Sequence, residues 1–371
     1  MQIVTRKNTI GSGQFFCLLY VSHAINILMT TPGIQTAGGM EHLLWSVPLS
    51  VVGSIVLALP FWWMHRRYRA WGIGELSVAV LGKGFALPIL LGYVVLYLYH
   101  SAVSVVQYQL FVMDTMLPQV SVWILTTAIL VTACYGAMLG IEALARASGF
   151  FLAIIFVSLL VIFCALFPKV TWEHFSPVKD INFSEIARKS VATTTWMLEI
   201  GTMAVIFPYV HGKIGRNLLV WSVGEGLTLA VVAFLTVGVL GEYLGTQMFP
   251  FYTVASMAEI GSLQRQDALF VGVWTMGLYV RVALFLVAAS LCVTSFFGEK
   301  AGRWALFVGG GLVWGGSLVL LRYPQVIQTL SSLQNAGLTA GVFFFLLPLI
   351  LLLIASLKKV DSSSGKEKTV S

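Results

Sequence analysis

Charged residues are scarce in this 371-residue chain: Asp, Glu, Lys and Arg make up 10% of it, and hydrophobic residues make up 58%. Because an average soluble domain carries about a quarter charged residues, a soluble fold is excluded. Cysteines are also few, and all four fall in apolar segments without metal-ligand spacing, which predicts packing residues. The chain lacks a phosphate loop and the motifs H-E-x-x-H and G-x-S-x-G. We therefore expect neither an enzyme nor a bound cofactor or metal.

Long apolar runs recur along nearly the whole chain, and the mean hydropathy is +0.89. A helix of about 20 apolar residues crosses a hydrocarbon core about 30 Å thick. An open sheet would leave backbone groups unpaired in lipid, and the runs lack the alternation of a barrel. The sequence therefore predicts an all-α integral membrane protein. The predicted spans lie at 12–33, 43–64, 85–116, 121–139, 144–167, 190–209, 218–241, 268–297, 303–322 and 337–357.

The basic residues predict an orientation. If the N-terminus is cytoplasmic, fifteen Lys and Arg fall on the cytoplasmic side and six on the outer side, while Arg281 lies inside a span. Because Lys and Arg favour the cytoplasmic side, we predict that both termini are cytoplasmic. One polytopic membrane domain (1–357) then precedes a polar cytoplasmic tail (358–371). This placement explains the net charge of +7 without a nucleic-acid partner.

Ten spans divide into two sets of five, at about 12–167 and 190–357. Because five is odd, the second set begins on the side opposite to the first, which permits an inverted repeat. The first and sixth spans share polar residues at mid-span and a proline at the exit, Pro32 and Pro208. Interrupted helices hold the substrate in transporters built from inverted repeats. The alternative is that these prolines and small residues only kink or pack a helix.

Two charged side chains lie deep within predicted spans, Glu199 in the sixth and Arg281 in the eighth. Placing a charge at the bilayer centre costs roughly 2.5–3.5 kcal/mol even on the lenient insertion scale, so each should face a cavity or a partner. The two could pair, each could contact a different charged group of a ligand, or a pair could simply fix helix register. Ile200 and Gly201 would let the helix open beside Glu199 and free its backbone amides and carbonyls.

Polar stripes on two other spans extend this candidate site. Ser22 and Asn26 lie four residues apart on one face of the first span. Such residues also join helices by hydrogen bonds, which is the alternative for this pair. On the third span, Tyr97 and His100 share a face that could line a cavity. The histidine is either a proton relay or a packing residue.

Several segments carry a resemblance to a known family, and together they cover nearly the whole chain. They include "ELSVAVLGK" after the second span, "YGAMLGIEALARASGF" at the fourth-to-fifth junction, the acidic sixth span "LEIGTMAVIFPYV", and "RQDALFVGVW" leading into the eighth span. With these segments the chain resembles the B subunits of spore germinant receptors, the endospore germination permeases. That family is a branch of the amino acid–polyamine–organocation superfamily.

The resemblance implies a ten-helix, LeuT-like 5+5 inverted repeat with helices 1 and 6 interrupted, in the spore inner membrane or the cytoplasmic membrane. It implies work alongside an A subunit and a lipoprotein C subunit, and binding of a small germinant, commonly an amino acid. The site residues that it implies here are Ser22, Asn26, Tyr97, His100, Glu199, Ile200, Gly201, Arg281 and Phe285. One departure is "SHAIN" in the first span, where many relatives are glycine-rich, and this departure argues against capture of a ligand carboxylate by the first helix.

Two other functions fit the same residues. A proton- or cation-coupled amino acid permease would use Glu199 as its coupling carboxylate. A structural assembly subunit would bind no ligand, and replacing Glu199 with glutamine would then leave germination unchanged.

Overall fold

The computed structural model describes residues 9–29, 41–69, 71–116, 119–175, 182–259 and 267–359. This part of the chain is almost entirely helical, as lipid requires of a chain that must satisfy its backbone internally. Its α-helices are α1 (Ser12–Met29), α2 (Glu41–Arg67), α3 (Ile73–Thr115), α4 (Val122–Leu139), α5 (Ile141–Leu166), α6 (Phe183–Thr195), α7 (Glu199–Ile206), α8 (Ile214–Leu240), α9 (Pro250–Ser256), α10 (Asp267–Phe297), α11 (Glu299–Arg322), α12 (Pro324–Leu330), α13 (Leu333–Ala340) and α14 (Leu347–Leu357). A π-helical turn, Gly341–Leu346, joins α13 to α14.

The described helices account for the ten predicted spans. Eight helical segments are long and apolar enough to cross a membrane, or nine if the bent pair α6–α7 is one span, and α1 is a shorter apolar helix. Two segments begin well before their predicted starts. The third begins at Ile73 and reaches the predicted span across a kink at Gly82, whose backbone is not helical. The sixth begins at Phe183, because a polar first turn capped by Asn182 precedes its apolar part. Pro32 and residues 360–371 of the predicted tail lie outside the described residues.

The sixth span is broken. Its two halves, α6 and α7, meet at an angle of 42° across residues 196–198. A short 3₁₀ turn, Phe207–Tyr209, follows α7 and includes Pro208. The expected interruption of the sixth helix is therefore present, and Glu199 is the first residue after it.

Helix α10 forms the centre of the bundle. It packs against α1, α3, α4, α5 and α11, and 72% of its most apolar 18-residue stretch is buried inside the protein. Since nearly every face of α10 meets protein, the charged Arg281 at its middle is shielded from lipid and is 2% exposed. The candidate site therefore lies at the core of the fold.

A two-stranded parallel sheet ties together the starts and ends of helices that are distant in sequence. Strand β1 (Ile10–Gly11) pairs with β2 (Val210–His211), with Ile10 opposite Val210. Beside it, Asn217 Nδ2 of α8 donates to Ser12 Oγ of α1 at 2.7 Å. The beginning of α1, the end of the sixth span and the beginning of α8 are thus joined at one end of the bundle.

Candidate functional site

Glu199 and Arg281 form an ion pair at the break of the sixth span. The break places Glu199 at the start of α7, and α10 supplies Arg281, whose Nη1 donates to Glu199 Oε1. The two side chains are 0% and 2% exposed. The structure therefore pairs the two side chains, which fits two of the three arrangements that the sequence allowed.

Helix α1 completes the hydrogen bonding of the carboxylate. Ser22 Oγ donates to Glu199 Oε1 at 2.8 Å, and His23 Nδ1 lies 3.1 Å from Oε2. Both carboxylate oxygens therefore have partners within the protein. The Glu199 side chain connects α7 with α1 and α10 at a single point.

The guanidinium of Arg281 has further partners of its own. Its Nε donates to Ser104 Oγ at 2.9 Å, and Nη1 donates to the Ser22 carbonyl at 3.2 Å. Asn26 lies beside the pair: in one amide orientation Nδ2 donates to the Trp196 carbonyl at 3.3 Å, and in the other its oxygen accepts from Arg281 at 2.8 and 3.1 Å. The charge is therefore closely surrounded by polar atoms of the protein.

Aromatic residues pack around the ion pair. The Arg281 guanidinium carbon lies 5.0 Å from the centre of the Phe285 ring, within cation–π range. Tyr97 stacks on Phe285 with ring centres 6.0 Å apart, and its hydroxyl donates to the Gly201 carbonyl at 2.7 Å. A Cβ on Gly201 would lie 2.5 Å from the Phe344 ring, so this close approach requires glycine.

The backbone amides at the break are already bonded, contrary to expectation. Those of Trp196 and Met197 donate to carbonyls in the last turn of α6, at 3.3 and 3.1 Å. Those of Ile200 and Gly201 donate to Met197 and Leu198, at 3.1 and 3.0 Å. The break is a tight turn whose short-range bonds satisfy these four donors, so these four amides do not form a ready site for a ligand carboxylate.

The expected break of the first span at Ser22–Asn26 is absent. Helix α1 runs without interruption through these residues to Met29. "SHAIN" contains neither glycine nor proline and is compatible with a continuous helix. Residues 196–198 of the broken span lack both as well, so the difference between the two spans lies in their tertiary contacts. Ser22 and Asn26 therefore contribute side chains to the site from a continuous helix.

A cavity of about 470 Å³ lies beside the break. Its walls come from α3, from the end of α6 with the break residues Trp196 and Leu198, and from the segment that runs from α12 through α13 to Phe343. The predicted residue His100 lines this cavity and is half-buried. Among the predicted site residues, His100 is thus the one placed in the cavity wall.

Some residues near the break were not predicted as site residues. His23 is one, and no spacing rule would have selected it, because Ser22 and Asn26 already defined the polar face. Asn335 and Thr339 in the cavity wall are others. Their spacing of four residues within an apolar segment is the signal that could have found them.

Comparison with known proteins places the chain in a family. A family model described as spore germination protein matches residues 10–314. The chain belongs to the spore germination protein family. One curated relative is spore germination protein XB of Bacillus anthracis. The two sequences are 21% identical over 275 residues, which are 73% of this chain and 77% of the relative.

A solved transporter has the same fold as this spore germination family member. The structure is the substrate-bound, outward-open state of a Na⁺-coupled sialic acid symporter, with a TM-score of 0.67 and 13% identity over 92% of this chain and 80% of the symporter. The likeness confirms the predicted all-α, LeuT-like membrane transporter fold. Family and fold are those of a permease-like membrane protein.

Proposed function

We propose that this chain is the membrane subunit of a spore nutrient-germinant receptor and binds a small germinant in the cavity beside the broken sixth span. The family supports a role in germination, and the fold supports a transporter-like binding site. The observation that carries the proposal is the position of the cavity. Trp196 and Leu198 line it and also belong to the break between α6 and α7. A molecule in the cavity would therefore contact the hinge of the span directly.

Signalling in this proposal is a change in the bend between α6 and α7. A ligand shifts an equilibrium between two bends by the difference in its affinity for them. Trp196 in the hinge contacts the ligand, and Glu199 immediately after the hinge connects α7 to α1 and α10. A change in the bend is thereby passed to the helices at the centre of the bundle.

An A subunit and a lipoprotein C subunit complete the receptor that we propose, in the spore inner membrane with both termini of this chain cytoplasmic. Membership of a spore germination family supports this assignment. The test is affinity purification of the tagged chain from detergent extracts of spores, followed by identification of the proteins that accompany it. Recovery of both subunits would support the receptor, and recovery of the chain alone would argue against it.

Filling the cavity tests the site itself. Thr339 lines the cavity, whereas the neighbouring Leu338 is 60% exposed on the same helix, α13. We expect spores carrying Thr339→Trp to lose the response to their nutrient, and spores carrying Leu338→Trp to keep it. The loss of refractility after nutrient addition measures the response, and an immunoblot of the spore membranes confirms equal protein levels. A nutrient sensed through another receptor controls for general germination defects.

Two results would contradict the proposal. If Thr339→Trp spores contain normal protein and respond normally, the cavity is not the germinant site. If purified protein in liposomes accumulates the nutrient against its gradient when a proton or cation gradient is applied, the chain acts as a coupled permease.

A further inference from the structure

The charged pair at the break is closed to a ligand. Glu199 engages Arg281, Ser22 and His23, and Arg281 engages Ser104 and the Ser22 carbonyl in addition. A zwitterion that used these charges would first have to replace bonds that the protein already makes. A buried charge without its partner strongly destabilises a protein. Replacing these bonds with bonds to a ligand is therefore unfavourable unless the ligand restores every contact.

The cavity itself offers no compensating charge. None of the described residues that line it is Asp, Glu, Lys or Arg. Thr195 in its wall is the last residue of α6, where the helix dipole places partial negative charge, which disfavours a ligand carboxylate. Four amides of the neighbouring break, those of Trp196, Met197, Ile200 and Gly201, already donate to backbone carbonyls. The carboxylate of a zwitterion would therefore enter this cavity without a fixed positive charge to pair with among the described residues.

The lining instead suits a flat, uncharged molecule. Four aromatic rings contribute to it, those of Tyr99, His100, Trp196 and Phe343. Aromatic side chains pack on ring faces in offset or edge-to-face arrangements. The neutral polar side chain of Asn335 adds a hydrogen-bonding group: its Nδ2 donates to the Thr329 carbonyl at 2.6 Å, and its Oδ1 can accept. A volume of about 470 Å³ accommodates a small ring-bearing molecule.

We infer that the cavity beside the break takes an uncharged, ring-bearing ligand through aromatic contacts and neutral hydrogen bonds, and that the Glu199–Arg281 pair does not contact this ligand. The inference rests on the proposed function and specifies the ligand class of that site. It separates two roles: the cavity recognises the ligand, and the ion pair holds the helices that respond.

Indole and tryptophan test this inference, because they carry the same ring but only tryptophan is a zwitterion. The full-length chain is purified in detergent, and its apparent melting temperature is followed as each probe is added. We expect indole to raise the melting temperature in a saturable way for the wild type and for Leu338→Trp, but not for Thr339→Trp. Tryptophan at the same concentrations should produce no comparable rise.

Each other result overturns the inference in a distinct way. An equal rise with indole in Thr339→Trp would mean that indole partitions nonspecifically, and a larger rise with tryptophan would mean that the site takes a zwitterion. Absence of any rise with indole would also count against an aromatic site. Spores keep the proposed function separate: if Thr339→Trp abolishes the nutrient response while tryptophan is the stabilising probe, the germinant site stands and only the ligand class is wrong. If the spores respond normally while Thr339→Trp removes the indole effect, the ligand class stands and the proposed function fails.

Discussion

At the scale of single residues, the ion pair is the feature on which the arrangement of α1, α7 and α10 depends. Three helices meet at Glu199, and each contributes a bond to the buried cluster. Buried pairs are costly to form, but losing one partner leaves an uncompensated charge in a medium of low dielectric constant. The contribution of the pair to stability is therefore best measured by removing one charge and then both.

Replacing Glu199 with glutamine should destabilise the protein by about 3–5 kcal/mol, the cost of leaving Arg281 buried without its counter-charge. The measurement is the apparent melting temperature of the purified chain, together with its level in membranes. The double variant Glu199→Gln, Arg281→Gln should recover most of the loss, because no charge then remains unpaired. A single variant as stable as the wild type would mean that the pair contributes little to the fold.

Glu225, unlike Glu199, is a buried acidic residue without a hydrogen-bond partner among the described residues. It is 0% exposed on α8, and among the described residues neither of its carboxyl oxygens has a hydrogen-bond partner. Ser222 and Trp221 on the same helix each have an unpartnered polar atom as well. We expect Glu225→Gln to leave the melting temperature unchanged or to raise it, because no ionic bond is lost and an uncharged amide is cheaper to bury.

The comparison of Glu199→Gln with Glu225→Gln is internally controlled, since both remove a buried carboxylate from a membrane span. A loss of several degrees in Glu225→Gln, similar to that in Glu199→Gln, would show that Glu225 has a charged partner in the folded protein. That result would contradict the packing described here.

Much of the ion-pair site could be predicted from single residues. The cost of an isolated charge in lipid was enough to select Glu199 and Arg281 and to suggest that they could pair. The same reasoning could not predict that Ser22 and His23 would bond to the same carboxylate from adjacent positions. Such convergence depends on how α1 packs against α7, which no spacing rule in the sequence encodes.

At the scale of elements, single glycines set the joints between long helices. Gly298 links α10 to α11 with φ 87° and ψ 173°, and Gly140 links α4 to α5 in nearly the same conformation. Only glycine adopts this region without strain. At each joint a single residue connects two long helices, and the connected helices pack against each other.

We expect Gly298→Ala to destabilise the protein by about 1–3 kcal/mol, the cost of backbone strain at this conformation. An added Cβ meets no atom within 4 Å, so the effect would come from the backbone alone. Gly311 in α11 is the control: its Cβ would also meet nothing within 4 Å, and its φ is not positive. Gly311→Ala should be neutral or slightly stabilising, because alanine is the better helix former. Equal melting temperatures for the two variants would rule out strain at the joint.

The positions of the spans could be predicted, because each is a long apolar run in the sequence. Where the backbone within a span is broken could be predicted only in part. The sixth span breaks beside Glu199 as predicted, whereas α1 is continuous through Ser22–Asn26. Polar residues at mid-span have the same appearance in both helices. They mark contact with the protein interior, and a break requires in addition that tertiary contacts stabilise the turn that interrupts the helix.

At the scale of the whole molecule, the two ends of the sixth span differ. The cavity lies against α6 and the break, while the pairing of β1 with β2 lies beyond α7. Val210 lies eleven positions after Glu199, or about 16 Å along a helix that rises 1.5 Å per residue. The strand pair therefore joins distant parts of the chain on one side of the ion pair, and the cavity lies on the other side. In the predicted topology, the cavity belongs to the outer side and the strand pair to the cytoplasmic side.

This topology predicts opposite labelling of two engineered cysteines. Ser331 lines the cavity and is half-buried, and His211 in β2 is exposed. In a parent without the native cysteines, a membrane-impermeant maleimide added to intact cells should label Ser331→Cys and spare His211→Cys. Permeabilised cells should show labelling at both positions. Because fifteen of the basic residues fall on the predicted cytoplasmic side, we expect this orientation to be uniform. Labelling of His211→Cys in intact cells would place the strand pair on the outer side of the membrane. A nutrient arriving from outside would then reach the strand pair before it reached the cavity.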